Sequence, residues 1–196
     1  MKHRTASLAL PALACLAALA APVSALADDG QAPKIRPLAG ALLTVGTGTK
    51  LQFTNPDGSV AQVDMAGVID LYAGAEFPLA PNGLALQLTA GVHQTSSSAG
   101  ASARRFPLEA ILMYPMSDAV RLGGGIRYPM HLTFSGPAGT NPAQISATPG
   151  FLGTVEVKLT QHLALNMRYV EEQYQYSTSS SRLNASHFGI GVSAIY

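Results

Sequence analysis

The most constraining feature of this chain is a two-residue rhythm that runs through most of its length. In the last segment, Phe188, Ile190, Val192, Ala194 and Tyr196 alternate with Gly189, Gly191, Ser193 and Ile195. One face is apolar and the other mostly small. Period two marks a β-strand between two unlike environments, because successive side chains point to opposite faces. The same device recurs upstream. Leu163, Leu165, Met167 and Tyr169 alternate with Ala164, Asn166 and Arg168, and Phe151, Gly153, Val155, Val157 and Leu159 with Thr154, Glu156 and Lys158. Val120, Leu122, Gly124, Ile126 and Tyr128 face away from Arg121, Gly123, Gly125 and Arg127. Phe106, Leu108, Ala110, Leu112 and Tyr114 oppose Glu109, Ile111 and Met113. Segments around 84–93 and 69–77 behave alike, and a weaker strand is expected over 39–53.

The rhythm predicts about eight strands of roughly ten residues, close to the ~9–11 that a tilted strand needs to cross a bilayer. The connections alternate in length. Ala80-Pro81-Asn82-Gly83, Met116-Ser117-Asp118 and Thr160-Gln161-His162 read as tight turns, whereas Thr95–Arg104, Ser135–Gly150 and Ser177–Ala185 are long. A short hairpin tip is expected at Asn55-Pro56-Asp57-Gly58. Pro107 and Pro129 are awkward inside a closed sheet, which has no edge to host them, and are assigned to bulges at the rim of the long-loop end.

Charged residues make up 12% of the 196, about half the share usual in soluble domains. That excludes a highly charged disordered chain and a coiled coil. The formal net charge is +1 and the basic residues are scattered, so there is no footprint for nucleic acid. Residues 1–27 read as a secretory signal peptide: Lys2, His3 and Arg4 lead, an apolar run follows from Ala6 to Ala21, and Ala25-Leu26-Ala27 supplies a cleavage site. A short tail is expected over 28–37 and the strand-rich domain over 38–196. The single cysteine, Cys15, lies in the leader, so the mature chain has no disulfide.

Two arrangements compete, a soluble barrel with apolar side chains inside and a membrane barrel with them outside. Aromatic residues end the apolar faces near both rims: Phe77, Tyr114 and Tyr196 at the short-turn end, and Phe53, Phe106, Tyr128, Phe151 and Phe188 toward the loops. Rings at two levels make interfacial girdles. The other faces carry one or two charges per strand among Gly, Ser and Thr. By parity a lumen would hold Lys50, Asp70, Glu76, Arg105, Glu109, Arg121, Arg127, Glu156, Lys158, Arg168 and Glu172. Both features favour the inverted, membrane arrangement.

On these residues, and above all on the aromatic-ended strand Phe188–Tyr196, the chain resembles the small eight-stranded outer-membrane β-barrel proteins, the OmpA/OmpX-like transmembrane class. The resemblance implies an all-β fold, an eight-stranded antiparallel up-and-down transmembrane β-barrel. It also implies a cell-outer-membrane location, contact with outer-membrane lipids and lipopolysaccharide, and handling by the barrel-assembly machinery. That class usually ends in Phe, where this chain has Tyr196.

The charge network Glu76, Glu109, Arg121, Arg127, Glu156, Lys158 and Arg168 is expected to pair and plug the lumen, since unpaired buried charge is costly. The expected role is structural or interactive, in a monomer without cofactor, metal or catalytic residues. The alternatives are a narrow channel, a soluble periplasmic ligand-binding barrel and a lipid A-modifying hydrolase. The hydrolase reading would rest on His131-Leu132-Thr133, a variant of the His-x-Ser pair of lipid A deacylases. Both residues take lumen parity, away from any acyl chain. His93, His131, His162 and His187 show no metal-ligand spacing.

Overall fold

The computed structural model describes residues 34–46, 50–54, 58–64, 67–96, 102–135, 145–176 and 182–196. The expected leader over 1–27 lies outside them, as do most of the longer loops and all but Gly58 of the hairpin tip at 55–58. The described residues form thirteen strands and no helix: β1 (Arg36–Gly46), β2 (Lys50–Thr54), β3 (Val60–Asp64), β4 (Ile69–Pro78), β5 (Ala85–Ser96), β6 (Ser102–Pro115), β7 (Val120–Ser135), β8 (Ile145–Ala147), β9 (Gly150–Lys158), β10 (Leu163–Glu171), β11 (Gln173–Tyr176), β12 (Arg182–Asn184) and β13 (His187–Ile195).

Eight of them close into a barrel in the order β1-β13-β10-β9-β7-β6-β5-β4, every neighbouring pair antiparallel. Closure comes from β1, which pairs with β13 from Leu38↔Ile195 to Gly46↔His187 and with β4 from Arg36↔Glu76 to Leu43↔Ile69. Closing the sheet leaves the barrel no open edge strand. The remaining strands extend it at the long-loop end. β2 and β3 form a hairpin, and β8, β11 and β12 a small sheet. The expected strand over 39–53 is therefore two elements: barrel strand β1, ending at Gly46, and a hairpin arm, β2, beginning at Lys50.

Each of the three tight turns is closed by a side-chain oxygen. Asn82 Oδ1 accepts from Leu84 N–H, Ser117 Oγ from the N–H groups of Ala119 and Val120, and Thr160 Oγ1 from those of His162 and Leu163. Short polar side chains satisfy amides that the strands leave unpaired, which is why Asn, Ser and Thr mark these turns. The first and last barrel strands are tied at the same rim. Tyr196 N–H donates to Pro37 O at 3.0 Å, and its ring stacks on His162 at 5.3 Å.

Polarity is inverted. Leu43, Val45, Ile126 and Phe151 are exposed on the outer wall, at 64, 65, 56 and 68%. Arginines and carboxylates are buried inside. Two apolar clusters share the interior with them: Ala85, Ile111, Met113, Leu152 and Val170, and Leu38, Leu42 and Tyr72 with Ile195. Gly40 gives Tyr72 its place, since a Cβ there would run into the phenol ring. Gly40→Val is expected to lower stability by about 1–3 kcal/mol, as overpacking does. Urea-dependent unfolding of the refolded barrel measures it, and an unchanged midpoint would show that Tyr72 has room to move.

The two prolines sit directly opposite each other, Pro107↔Pro129. The pairing of β5 with β6 is interrupted beside Pro107, between Ala90↔Leu108 and His93↔Arg105, and β9 stops pairing with β7 at Arg127↔Gly150, before Pro129. Each missing N–H therefore falls where the ladder has already opened.

The same region breaks the alternation. Arg104 pairs with Thr133 and Phe106 with Met130, so His131 and Leu132 together face Arg105. His131 takes φ 47°, and both His131 and Thr133 are exposed. The lumen parity expected for these two residues is thus wrong: a β-bulge reverses the face of every residue beyond it.

Candidate functional site

The lumen holds two layers of ion pairs, each balanced in charge. The layer at the short-turn end is built on Glu76. Arg36 pairs with its Oε1, while Arg121 Nη1 and Gln87 Nε2 both lie 2.8 Å from its Oε2. Arg121 also donates from Nε to Glu156 Oε1 at 2.7 Å. Two guanidiniums face two carboxylates. Lys158 shares the lumen parity of Glu156 but sits exposed at the rim, lining a recess of about 130 Å³ with Arg36, Arg121, Glu156 and His162. The strand simply ends before Lys158 can be covered.

The second layer is built on Arg127, which is fully buried. Its Nη1 donates to Asp70 Oδ2 at 2.8 Å and Glu109 Oε1 at 2.5 Å, and its Nη2 lies 3.0 Å from His93 Nδ1. Arg168 reaches Glu109 Oε2 at 2.8 Å from β10, and Thr89 donates to the same oxygen. The Arg168 guanidinium also lies over the Tyr72 ring at 4.8 Å. Above them Glu172 pairs with Arg105 at 3.3 Å and lies 3.9 Å from Arg127 Nε. Asp70, Glu109 and Glu172 thus balance Arg105, Arg127 and Arg168. Hydrogen-bonded pairing in a balanced set is what makes so much buried charge tolerable.

Because a guanidinium cannot accept a hydrogen bond, His93 accepts at Nδ1 and carries its proton on Nε2, which donates to Thr44 Oγ1 at 3.0 Å. Gly67 covers this ring, and a Cβ there would collide with it. His187 donates from Nδ1 to Ala185 O at 3.0 Å, and its ring lies 4.6 Å from that of His93.

Asp70, His93 and His187 bring ligand atoms within 4.8 Å of one another, a spacing that could hold a metal ion. Their sequence spacing carried no hint of this, because β5 and β13 meet only across the closed lumen. The chemistry of the set argues for another occupant. Arg127 already donates to Asp70 and His93, so the cation serving these groups is the guanidinium, and a divalent ion would have to displace it.

Glu172, between β10 and β11, ties the outer sheet to the lumen. Tyr174 on β11 donates to its Oε1 at 2.6 Å. Burial pushes the Tyr174 phenol well above the ordinary tyrosine range, against the opposing charge of Arg105, so it stays a donor. Tyr174→Phe is expected to cost about 1–2 kcal/mol, the loss of a bond to a charged group. Amide exchange should accelerate in β8, β11 and β12 and stay slow in β10. Uniform exchange throughout would show that Tyr174 does not anchor the sheet.

The aromatic residues lie on the outer wall at two levels. Tyr114 and Tyr196 are exposed at the short-turn end and Phe77 half-buried beside them; Tyr128, Phe151 and Phe188 are exposed toward the loops. The Phe53 side chain lies outside the described residues.

No protein-family model matches the chain, and none of the curated proteins searched matches it in sequence. Solved structures similar in shape include a de novo designed transmembrane β-barrel, at TM-score 0.41 and 12% identity, covering 86% of this chain and 100% of that one. Ail, the attachment invasion locus protein of Yersinia pestis, solved with the heparin analogue sucrose octasulfate, gives TM-score 0.46 and 12% identity over 83% of this chain and 97% of its own. Neisserial surface protein A gives 0.45 and 12% over 82% and 95%. Such identities say nothing of activity, and the fold rests on the strand pairing above. By that pairing and its inverted polarity, the chain has the architecture of a small eight-stranded transmembrane β-barrel.

Proposed function

We propose that this protein is an integral outer-membrane barrel, exported by its cleaved leader, whose lumen is plugged and whose work is done on its outer surfaces, in envelope integrity or surface contact. The observation that carries this reading is Arg127. Its guanidinium, fully buried, crosses the lumen from β7 to Asp70 on β4 and approaches Glu172 beyond β10. Around eight strands leave an interior that side chains just fill, and here they are locked by ion pairs. The apolar outer wall supports lipid rather than water as its surroundings.

Two measurements test it. Boiled and unboiled samples should migrate differently on a denaturing gel, as a detergent-resistant barrel does. In planar bilayers the folded protein should give no discrete conductance steps; regular steps would turn the plug into a channel.

The hydrolase reading gains one point, since the bulge turns His131 and Thr133 outward, toward lipid. What stands opposite Thr133 is Arg104 rather than a carboxylate. A cation there serves to bind an anion and orients no general base. Lipid A mass spectra should be the same with and without expression of the protein.

A further inference from the structure

The bulge on β7 assembles a group of donors on the outer wall. His131 holds a left-handed backbone, φ 47°, that residues with a Cβ seldom adopt. Such strain is retained where it serves a site more often than elsewhere. Its effect is specific. Unbroken alternation would have sent His131 and Thr133 into the lumen behind Arg127 and Pro129; instead Thr133 lies beside Arg104 on the exterior, and His131 is exposed next to them.

Phe106 braces two of the three. The Arg104 guanidinium lies 5.2 Å from the ring centroid, and the His131 ring stands edge-on to it at 6.4 Å and 84°. A second observation bears on Arg104. Arg36, Arg105, Arg121, Arg127 and Arg168 pair with carboxylates. Among the described residues Arg104 and Arg182 do not; Arg182 donates to Gln173, whereas Arg104 lies over the Phe106 ring. Toward the barrel's middle the same wall continues as Leu108, Tyr128 and Ile126, all exposed and apolar. Arg104 therefore sits just beyond the apolar band, at the long-loop end, the level at which a membrane barrel meets headgroups.

We infer that Arg104, His131 and Thr133 form a site for the phosphate group of an outer-leaflet lipid. This deepens the proposed function and rests on it, with the long loops facing outward as in outer-membrane barrels generally. A guanidinium offers two parallel N–H groups to phosphate oxygens, and the imidazole supplies a further N–H. The Thr133 hydroxyl makes only a long bond to His131 O, at 3.5 Å, and turns from it to donate to the phosphate. Phe106 holds the guanidinium at the interface and presents its ring to the lipid below.

The test uses the full mature chain in phosphatidylcholine nanodiscs containing lipid A, either phosphorylated or enzymatically dephosphorylated. Retained lipid is counted by native mass spectrometry. Phosphorylated lipid A should be retained roughly tenfold better, as one or two charge-assisted hydrogen bonds imply. Arg104→Gln and His131→Asn should each abolish most of that preference. Asparagine tolerates the left-handed backbone, so the second variant keeps the bulge. Lys158→Gln, at the opposite rim, should change nothing.

Equal retention of the two lipids, or an undiminished preference in Arg104→Gln, overturns the site. Inorganic phosphate is the competing source; if millimolar phosphate alone strips the retained lipid, the lipid assignment is overturned in favour of a free anion. The gel separates the two levels of failure. A wild-type chain without the boiled-sample mobility shift overturns the membrane reading and this site together. A chain that shows the shift without phosphate preference overturns the site alone.

Discussion

Arg127→Met should destabilise the barrel by about 3–5 kcal/mol, the usual consequence of removing one partner from a buried ion pair. The loss is large because the guanidinium serves several groups at once. Without it, Asp70 loses its hydrogen-bonded cation, Glu109 keeps only Arg168 and Thr89, and the proton arrangement of His93 is no longer imposed. The remaining charges of that layer are then unbalanced in a poorly hydrated interior. Urea titration of refolding into lipid vesicles, read by gel mobility, measures the effect. Adding Asp70→Asn to Arg127→Met should recover part of it, since the coupling between contacting groups makes the two losses non-additive. Arg36→Met provides the contrast. Its side chain is 44% exposed, and solvent should limit its cost to about 1 kcal/mol or less. Equal costs for the two arginines would show that the central layer has no special weight.

Ile126→Arg should cost about 2–4 kcal/mol in a bilayer, the penalty for a cation near the midplane of a barrel's lipid face. Ile126 is 56% exposed on the outer wall, midway along β7. In a water-soluble barrel the same change would fall on the surface, where substitutions usually stay within about 0.5 kcal/mol. The size of the effect therefore reports the solvent outside the barrel. A refolding yield into vesicles equal to wild type would contradict the membrane arrangement, whereas failure to fold only when bilayer is present would support it.

Much of this was legible in the residue order. Alternation located seven barrel strands and ran the eighth, β1, together with β2, and parity placed Glu76, Glu109, Arg121, Arg127, Glu156 and Arg168 on one face. The tight turns could be read because Asn82, Ser117 and Thr160 close their own amides locally. Lys158 shows the limit of parity. Alternation states which way a side chain points, and at a strand's end pointing inward does not mean being covered.

Partner choice was not legible. Arg127 meets Asp70 57 positions away, and Arg168 meets Glu109 59 positions away. Such contacts depend on the register with which the sheet closes, a property of all eight strands together. His93 and His187 approach for the same reason. The sheet of β8, β11 and β12 at the loop end was missed because its strands are three or four residues long, too short for a period to show, whereas the β2–β3 hairpin was foreshadowed by the turn residues at 55–58.

By itself, then, the sequence determined the strands, their two faces and the sign of what each face carries, because those depend on neighbours one or two residues away. Tertiary structure alone decided which charges pair, where Arg127 sits among them, and that His131 and Thr133 face outward. Ion pairing needs atoms within a few ångströms, which only closure supplies. A bulge moves one residue out of step and reverses all that follow; the prolines marked the region, but the alternating pattern does not announce at which residue the step falls.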